Sequence, residues 1–418
     1  DWRVRFLVGA FWQQQSHEIL QNYRIEGLAS SFSVTGWPGT FWLTNQVRQD
    51  HDEALFGEVS FDITDKLTAT GGVRFFSYDN SLKGFFGFGD TGYSSNYGEV
   101  KCFSDEQFRG SPCVNLDKEV KKHDTIGRFN LTYQIDDDKM IYGTWSEGFR
   151  PGGINRRDDA NAPPYEPDYL SNYELGWKTR WAGNRLTFNG AIFQENWEGI
   201  QYSFLPPGGS GLTVIKNAGT ARIRGAEADL NWAATYNLSL SGGVAFYDAE
   251  LTENFCGFFD LDGTPITECP PGTINPQTGD PVDGPQAAAG TRLPVTSKFK
   301  GNLTGRYTFD IGSMEAYFQG SVVHVGDRRS SLLPVDSAAL GDLAAYTTLD
   351  LSAGIRKNSW SVDFYIKNAT DERGELAKFT QCAFACVLTD FVPEYPDGQV
   401  YTITSQPRIF GIRFSQKF

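Results

Sequence analysis

Arginine clusters and aromatic side chains are the residues of this sequence that are best suited to bind a ligand. Arg150, Arg156 and Arg157 lie close together in the chain, and Arg328 is followed directly by Arg329. Guanidinium groups form paired hydrogen bonds with carboxylates and other anionic groups, so both clusters are candidates for binding an anionic chelate. Aromatic rings that could stack on aryl or sugar rings are Trp37, Trp42, Phe85, Phe86 and Tyr93. The simpler alternatives are solvated arginines and aromatic rings that pack loops together.

The six cysteines form three groups that are close in sequence. These are Cys102 with Cys113, Cys256 with Cys269, and Cys382 with Cys386. Pairing within each group closes the shortest loops and predicts three local disulfides, with free thiols as the alternative. Disulfides form in oxidising compartments such as the periplasm or the cell surface. The CxxC spacing of zinc sites is absent and the four histidines are scattered, so we expect no metal site and no cofactor.

Composition and charge narrow the class of protein. The 418 residues have a net charge of −14, which argues against a nucleic-acid surface because binding to phosphates needs a basic face. The mean hydropathy is −0.38, and no apolar run approaches the roughly 18 residues that a membrane-spanning helix needs. A membrane-spanning strand needs only about ten residues, with apolar side chains at every second position. The sequence also lacks the P-loop, GxSxG and HExxH motifs, so we expect no catalytic residues and no enzyme.

Alternation of polar and apolar residues is the main structural signal. In residues 298–309, Leu303 and Tyr307 belong to an apolar set, whereas Lys300, Thr304 and Arg306 belong to the polar set between them. Period two with unlike faces predicts a strand between two unlike solvents. Similar segments recur along the chain and give about fourteen strands. The predicted fold class is all-β, an antiparallel transmembrane outer-membrane β-barrel.

The connections between these segments are asymmetric. Short turns are predicted at residues 64–66, 136–138, 182–184, 234–236, 310–313 and 357–359. Long glycine- and proline-rich loops are predicted at residues 17–49, 80–120, 151–168, 206–214, 252–294, 328–344 and 371–401. Short and long connections alternate, as they do in outer-membrane barrels with short periplasmic turns and long surface loops.

Several stretches resemble the TonB-dependent receptor family. One runs from Tyr142 to Asn155 and contains a Gly-Phe-x-x-Gly-Gly-x-Asn pattern, followed by Tyr-Glu-Leu-Gly-Trp-Lys from Tyr173. Others are Asn217-Ala-Gly with the following Arg-Gly-Ala-Glu, and the strand from Val362. The residues that match the family motifs are Gly148, Phe149, Gly152, Gly153, Asn155, Gly225, Glu227, Asn368, Asp371 and the terminal Phe418. The resemblance gives these residues structural roles.

The resemblance implies an outer-membrane receptor that imports a scarce nutrient, most often an iron–siderophore complex, with energy from a TonB-type periplasmic partner. Its loops would be extracellular and would meet lipopolysaccharide, and its C-terminus would be periplasmic. Such receptors have a barrel of 22 strands around an N-terminal plug domain, so we expect residues 1–418 to be the C-terminal part of the barrel, without the plug. The alternatives are a fourteen-strand passive channel that closes between its first and last strands, and a structural or adhesive surface barrel.

Overall fold

The computed structural model describes residues 2–90, 97–104, 106–156, 164–204, 213–258, 266–276, 279–380 and 400–417. The strands in these residues are β1 Val4–Arg24, β2 Thr40–Asp62, β3 Leu67–Gly87, β4 Leu116–Asp136, β5 Lys139–Arg150, β6 Asp168–Trp181, β7 Leu186–Glu198, β8 Gln201–Phe204, β9 Val214–Asn217, β10 Thr220–Ala233, β11 Leu238–Leu251, β12 Phe299–Ile311, β13 Met314–Val325, β14 Tyr346–Lys357, β15 Trp360–Lys367, β16 Glu375–Thr380, β17 Val400–Thr404 and β18 Ile409–Gln416. The helical segments are two 3₁₀ turns, Ser30–Phe32 and Glu99–Lys101, and α1, Pro334–Leu340.

Fourteen strands form one antiparallel sheet, which confirms the predicted fold class. Their order is β1-β2-β3-β4-β5-β6-β7-β10-β11-β12-β13-β14-β15-β18, and the pairs β8-β9 and β16-β17 form two separate hairpins. Each of the fourteen strands is therefore paired with the strand of this sheet that follows it in the sequence, as in a meander. Among the described residues β1 and β18 are the two edges of this sheet and are not paired with each other.

The antiparallel order places the long connections at one end of the sheet, which we call the loop end, and the short turns at the other. Two loops, predicted at residues 17–49 and 80–120, are shorter in the structure than predicted. β1 continues to Arg24 and β2 begins at Thr40, while β3 continues to Gly87 and β4 begins at Leu116. These extensions mix polar and apolar residues on the same face, so they keep the ladder of backbone hydrogen bonds without the alternation that indicates a strand in a sequence.

The two faces of the sheet differ in chemistry. The polar face carries residues such as Lys300, Thr304 and Arg306, and the apolar face carries the side chains between them. On the apolar face Phe318 is 60% exposed and Phe364 is 55% exposed. Large apolar side chains that form a continuous exposed band indicate a surface made for lipid, because a water-facing sheet would bury them. No helix within the described residues is long and apolar enough to cross a membrane.

Aromatic rings on several strands lie over a glycine of the neighbouring strand, directly opposite in register. These pairs are Phe56 with Gly9, Tyr142 with Gly176, Trp177 with Gly190, Phe193 with Gly225, Tyr317 with Gly354 and Tyr365 with Gly411. A Cβ atom added to any of these glycines would lie within 2.5 Å of the ring. The ring thus fills the space that the missing side chain leaves, which fixes the register of both strands.

Candidate functional site: the loop end of the sheet

A hydrophobic core joins three of the long connections, and we call it the loop core. It consists of Ile200, Ala218, Ala221, Ala249, Leu251, Phe255, Ala287, Leu293 and Leu332. These residues come from the connections β7–β10, β11–β12 and β13–β14 and from the strand ends next to them. Removing this much apolar surface from water stabilises the loops against one another, so they form one packed layer at the end of the sheet.

Polar contacts fasten the same layer. The hydroxyl of Tyr202 lies 3.1 Å from that of Ser331 and accepts a hydrogen bond from the backbone N–H of Leu332 at 3.2 Å. Arg292 donates to the Asp327 carboxylate at 2.7 Å, and this hydrogen bond lowers the pKa of Asp327. Residues more than 30 positions apart in the chain are therefore held together.

Asn155, one of the family-motif residues, clamps the β5–β6 connection to the β8–β9 hairpin. Its side-chain amide donates to the carbonyl of Ile215 at 2.7 Å and accepts from the N–H of Ile215 at 2.9 Å. Asn217 of β9 makes the reciprocal contact with the β5–β6 connection. Its side chain accepts a hydrogen bond from the N–H of Glu166 at 2.9 Å and donates one to the Glu166 carbonyl at 3.0 Å. Both asparagines are buried, so these bonds are shielded from water.

Replacing Asn155 by alanine should loosen this clamp. Each lost hydrogen bond costs about 0.5–1.5 kcal/mol, so amide hydrogens of β9 should exchange roughly tenfold faster. Hydrogen exchange followed by mass spectrometry measures this, with the amides of β12 and β13 as the internal control. Asn155→Asp keeps an acceptor but loses the donor, so it should also exchange faster than the wild type. Unchanged exchange of β9 in both variants would contradict the clamp.

The end of β5 and the β5–β6 connection lie over the polar face of β3. The ring of Phe149 stacks on that of Phe76 with centroids 3.6 Å apart, and the N–H of Gly152 donates to the Tyr78 hydroxyl at 3.0 Å. Lys122 forms an ion pair with Glu166. These contacts hold the connection inward, above the wall formed by β2, β3 and β4.

A second hydrophobic cluster lies where this connection meets the wall, and we call it the mouth cluster. It contains Trp42, Leu82, Phe86, Tyr97 and Leu116, with Ile19, Phe88 and Ile154 packed against it. Ile154 belongs to the β5–β6 connection, whereas Ile19 belongs to β1. The connection therefore reaches across four strands at the loop end.

The arginines predicted to bind a ligand occupy different environments. Arg150 forms an ion pair with Asp168, whose side chain is only 3% exposed. Arg328 is buried, stacks on Tyr346 and donates to the backbone carbonyl of Glu375, and Arg329 donates to the carbonyl of Ser331 at 2.8 Å. Arg156 follows Ile154, which packs against the mouth cluster, by two residues.

The predicted aromatic residues pack the loops. Trp42 and Phe86 belong to the mouth cluster, and Phe85, which is 0% exposed, packs with Val34 and Leu43. The indole N–H of Trp37 donates to the carbonyl of Gly110 at 2.8 Å. Ligand contact by these arginines and aromatic residues stays a prediction. Tyr93, Arg157, Cys382, Cys386 and Phe418 lie outside the described residues.

Among the described residues, the loops contain two disulfides. Cys102 is bonded to Cys113, and Cys256 is bonded to Cys269. Cys113 packs with Phe85, and Cys256 and Cys269 pack with Phe258. Each bond therefore ties the base of a long connection to a small hydrophobic cluster.

Other family-motif residues shape the loop end. A Cβ atom added to Gly152 would lie 2.5 Å from the backbone oxygen of Tyr165, so a larger residue there would displace the backbone. A Cβ atom added to Gly153 would lie 2.3 Å from the Tyr165 hydroxyl, so that side chain would have to move. Asn368 and Asp371 adopt φ angles of 49° and 56° in the turn that follows β15. Asp371 accepts a hydrogen bond from the N–H of Arg408 at 2.8 Å, and this bond lowers the pKa of Asp371.

Gly148 is unlike the motif glycines beside it, because an added Cβ atom would have nothing within 4 Å. Glu227 lies on the polar face in register with Ala191 and Ala245. Asp168 could not be identified from the sequence, because its partner Arg150 becomes adjacent to it only in the folded sheet. Asn217 lies inside a recognised motif, but its pairing with Glu166 is not visible in the sequence.

The sheet is antiparallel and has one apolar and one polar face, with short turns at one end and packed loops at the other. This combination is typical of the wall of an outer-membrane barrel. The chain matches the family of TonB dependent receptor-like beta-barrels over residues 1–369 and belongs to that family. It is a family of outer-membrane transport receptors.

The chain is similar to known receptors of this family. It is 26% identical over 228 residues to the metal-pseudopaline receptor CntO of Pseudomonas aeruginosa, a match that covers 54% of this chain and 26% of the relative. It is 25% identical over 131 residues to the probable TonB-dependent siderophore receptor PiuA of Acinetobacter baumannii, which covers 30% of this chain and 17% of PiuA.

Solved structures agree on the fold. The ferric yersiniabactin uptake receptor FyuA from Yersinia pestis matches with a TM-score of 0.68 at 16% identity, over 100% of this chain and 52% of FyuA. The siderophore receptor PiuA from Acinetobacter baumannii matches with a TM-score of 0.63 at 15% identity, over 98% of this chain and 52% of PiuA. This chain therefore spans about half the length of the solved receptors.

Proposed function

We propose that this chain belongs to a receptor that captures an iron–siderophore complex outside the cell and imports it across the outer membrane. The observation that supports this most directly is the packed layer of long loops at one end of a polar wall. Binding residues are commonly carried by loops that a scaffold holds in place, and this layer holds its loops together in that way. The similarity to CntO, a metal-pseudopaline receptor, and to PiuA, a probable siderophore receptor, supports the same class of cargo.

In this proposal the loop end faces the outside, and the short turns and the C-terminus face the periplasm. Energy comes from a TonB-type partner that adds a β-strand to a plug domain contributed by residues outside this sequence. The full barrel would contain the 22 strands expected of the family. β1 and β18 then pair with further strands, because unpaired backbone groups cannot remain exposed to lipid.

A passive channel made of these fourteen strands is the competing function. It requires β1 to pair with β18, and the described sheet has these strands as its two edges. Nothing in the described part of the loop layer favours an adhesive function over transport. The import proposal therefore has the stronger structural support.

Uptake of radioactive iron tests the proposal. Deleting the gene should reduce uptake of at least one ferric chelate among a citrate, a catecholate and a hydroxamate complex, and the intact gene should restore it. A protonophore, or loss of the TonB-type partner, should abolish this uptake, because the import of a scarce solute needs energy. Uptake that survives the protonophore would instead indicate a channel. Equal uptake of all three complexes with and without the gene would overturn the proposal.

A further inference from the structure

A groove on the apolar face of the sheet crosses β5 and its neighbours, and we call it the apolar groove. Leu131, Leu175 and Ile192 line it and are 39%, 54% and 50% exposed. Gly143 of β5 lies in register with Leu131 on one side and with Leu175 on the other. A Cβ atom added to Gly143 would have no heavy atom closer than 4.0 Å, so the missing side chain leaves a gap in an otherwise apolar row.

The rim of the apolar groove toward the loop end carries an arginine. The next row of the sheet consists of Trp145, Tyr173, Gln194 and Arg224, and all four residues line the groove. The side chain of Arg224 is exposed, and its Nε atom donates a hydrogen bond to Oε1 of Gln194 at 2.9 Å. This bond holds the guanidinium group at the rim.

Arg224 lies at the border between the apolar band and the polar loop end. Toward the short turns, the same face of β10 continues with Ala226, Ala228, Leu230 and Trp232. Toward the loop end, Arg222 on that face forms an ion pair with Glu250 at 2.7 Å. The headgroups of a bilayer lie directly outside its hydrocarbon core, so Arg224 is at the level where lipid phosphates are found.

The charges around Arg224 leave it open to an anion. Asp248 lies opposite Arg224 on β11, but it forms an ion pair with Lys298 at 3.5 Å. Within the described ranges, no carboxylate forms an ion pair with Arg224. A planar guanidinium group matches two oxygens of a phosphate through paired, charge-assisted hydrogen bonds. An arginine above an apolar groove therefore offers two contacts to an anionic lipid, one to its phosphate and one to an acyl chain.

A second and larger groove on the same face lacks this combination. It crosses β12 to β15 and β18, and its lining includes Tyr307, Gly320, Leu351, Phe364 and Phe410. None of the described residues that line it is charged. An acyl chain that lies there meets no group that binds a phosphate, so the charge at the rim distinguishes the apolar groove from the larger one.

We propose that Arg224 and the apolar groove bind one phosphorylated lipid of the membrane leaflet at the loop end, with the phosphate on the guanidinium group and an acyl chain over Gly143. Gln194 is a positioning residue, because its hydrogen bond holds Arg224 at the rim. The inference rests on the proposed function for the orientation of the barrel. With the loop end outside the cell, the lipid at this level is lipid A, the phosphorylated anchor of lipopolysaccharide.

Titration of the full receptor with lipid A tests the phosphate contact. The receptor is extracted in mild detergent from the outer membrane, and native mass spectrometry counts the bound lipids. The second probe is lipid A from which the phosphates have been removed. The wild type should bind the phosphorylated probe more tightly, and rising salt should reduce the difference. Arg224→Ala should weaken binding of phosphorylated lipid A about fivefold, the usual contribution of one basic residue at a membrane surface, and leave the dephosphorylated probe unchanged.

Gly143→Leu tests the contact with the acyl chain. The new side chain occupies the gap over which the chain would lie, so it should weaken binding of both probes at least about threefold. The matched control is Gly320→Leu in the larger groove, where an added Cβ atom would make only an ordinary contact with Leu351 at 3.6 Å. The charge control is Lys83→Ala, which removes a lysine that pairs with Asp117 outside the apolar groove. Both controls should bind phosphorylated lipid A as the wild type does, and heat-modifiable migration on gels should show that all variants fold.

Three results would overturn the inference. They are equal binding of the two probes by the wild type, unchanged binding of phosphorylated lipid A by Arg224→Ala, and unchanged binding of both probes by Gly143→Leu. Equal losses in Lys83→Ala and Arg224→Ala would also contradict it, because the effect would then come from net charge alone. None of these measurements involves a ferric chelate, so a failure here leaves the import proposal to the uptake experiment, which decides it independently.

Discussion

Leu351→Arg is expected to reduce sharply the fraction of protein that folds in the membrane. Leu351 lies at the middle of β14 on the apolar face, in register with Gly320 and Ile366. It is 41% exposed, so an arginine there would meet lipid rather than protein. A cationic side chain near the middle of the bilayer costs about 2–4 kcal/mol in a membrane barrel, which is a large share of a typical folding free energy of about 5–15 kcal/mol.

The neighbouring Ser352→Arg is the matched control. Ser352 lies at the same depth, but on the polar face, in register with Gln319 and Tyr365. An arginine there stays among polar groups, so the folding free energy should change by less than about 1 kcal/mol. Urea unfolding in lipid vesicles, followed by heat-modifiable migration, measures both variants. Equal losses would mean that the two faces are assigned wrongly, and a loss confined to Ser352→Arg would mean that they are reversed.

The strand count and order could be predicted from the sequence because the fold is a meander. When short turns join alternating segments, each strand has only its sequence neighbours to pair with, so no long-range choice remains. The errors at residues 17–49 and 80–120 arose where this signal stops. β1 and β2 continue beyond the apolar band with polar and apolar residues mixed on both faces. A strand without alternation is not recognised as a strand in a sequence.

The candidate site could be predicted only in part, because its contacts join distant parts of the chain. Trp42 and Phe85 were interpreted as ligand contacts on residue type alone, and type does not show whether a ring meets a ligand or another loop. The structure buries both. Arg156 was identified as one of a cluster, but what distinguishes it from Arg150 is the absence of an ion pair among the described residues. That difference depends on Asp168, which folding brings to Arg150.

Gly225→Val is expected to destabilise the sheet by an amount that depends on the ring of Phe193 in the neighbouring strand β7. An added Cβ atom would lie 2.4 Å from the Phe193 ring and 2.8 Å from the carbonyl oxygen of Phe246. The ring can turn away, but the carbonyl belongs to the paired backbone of β11 and cannot move without breaking the ladder. Overpacking of this kind costs about 1–3 kcal/mol, which urea unfolding in lipid vesicles would resolve.

A double-mutant cycle separates the two clashes. Phe193→Ala alone removes the ring that covers Gly225, so it should destabilise the sheet by leaving that space empty. Combined with Gly225→Val, the loss should be smaller than the sum of the single losses, because the new side chain occupies the space of the old ring. Rescue should stay incomplete, since the contact with the Phe246 carbonyl remains.

Gly143→Val is the control, because an added Cβ atom there has no heavy atom closer than 4.0 Å and should cost little. Strict additivity of the two losses would show that ring and glycine do not share one space, and the register of β7 against β10 would need revision.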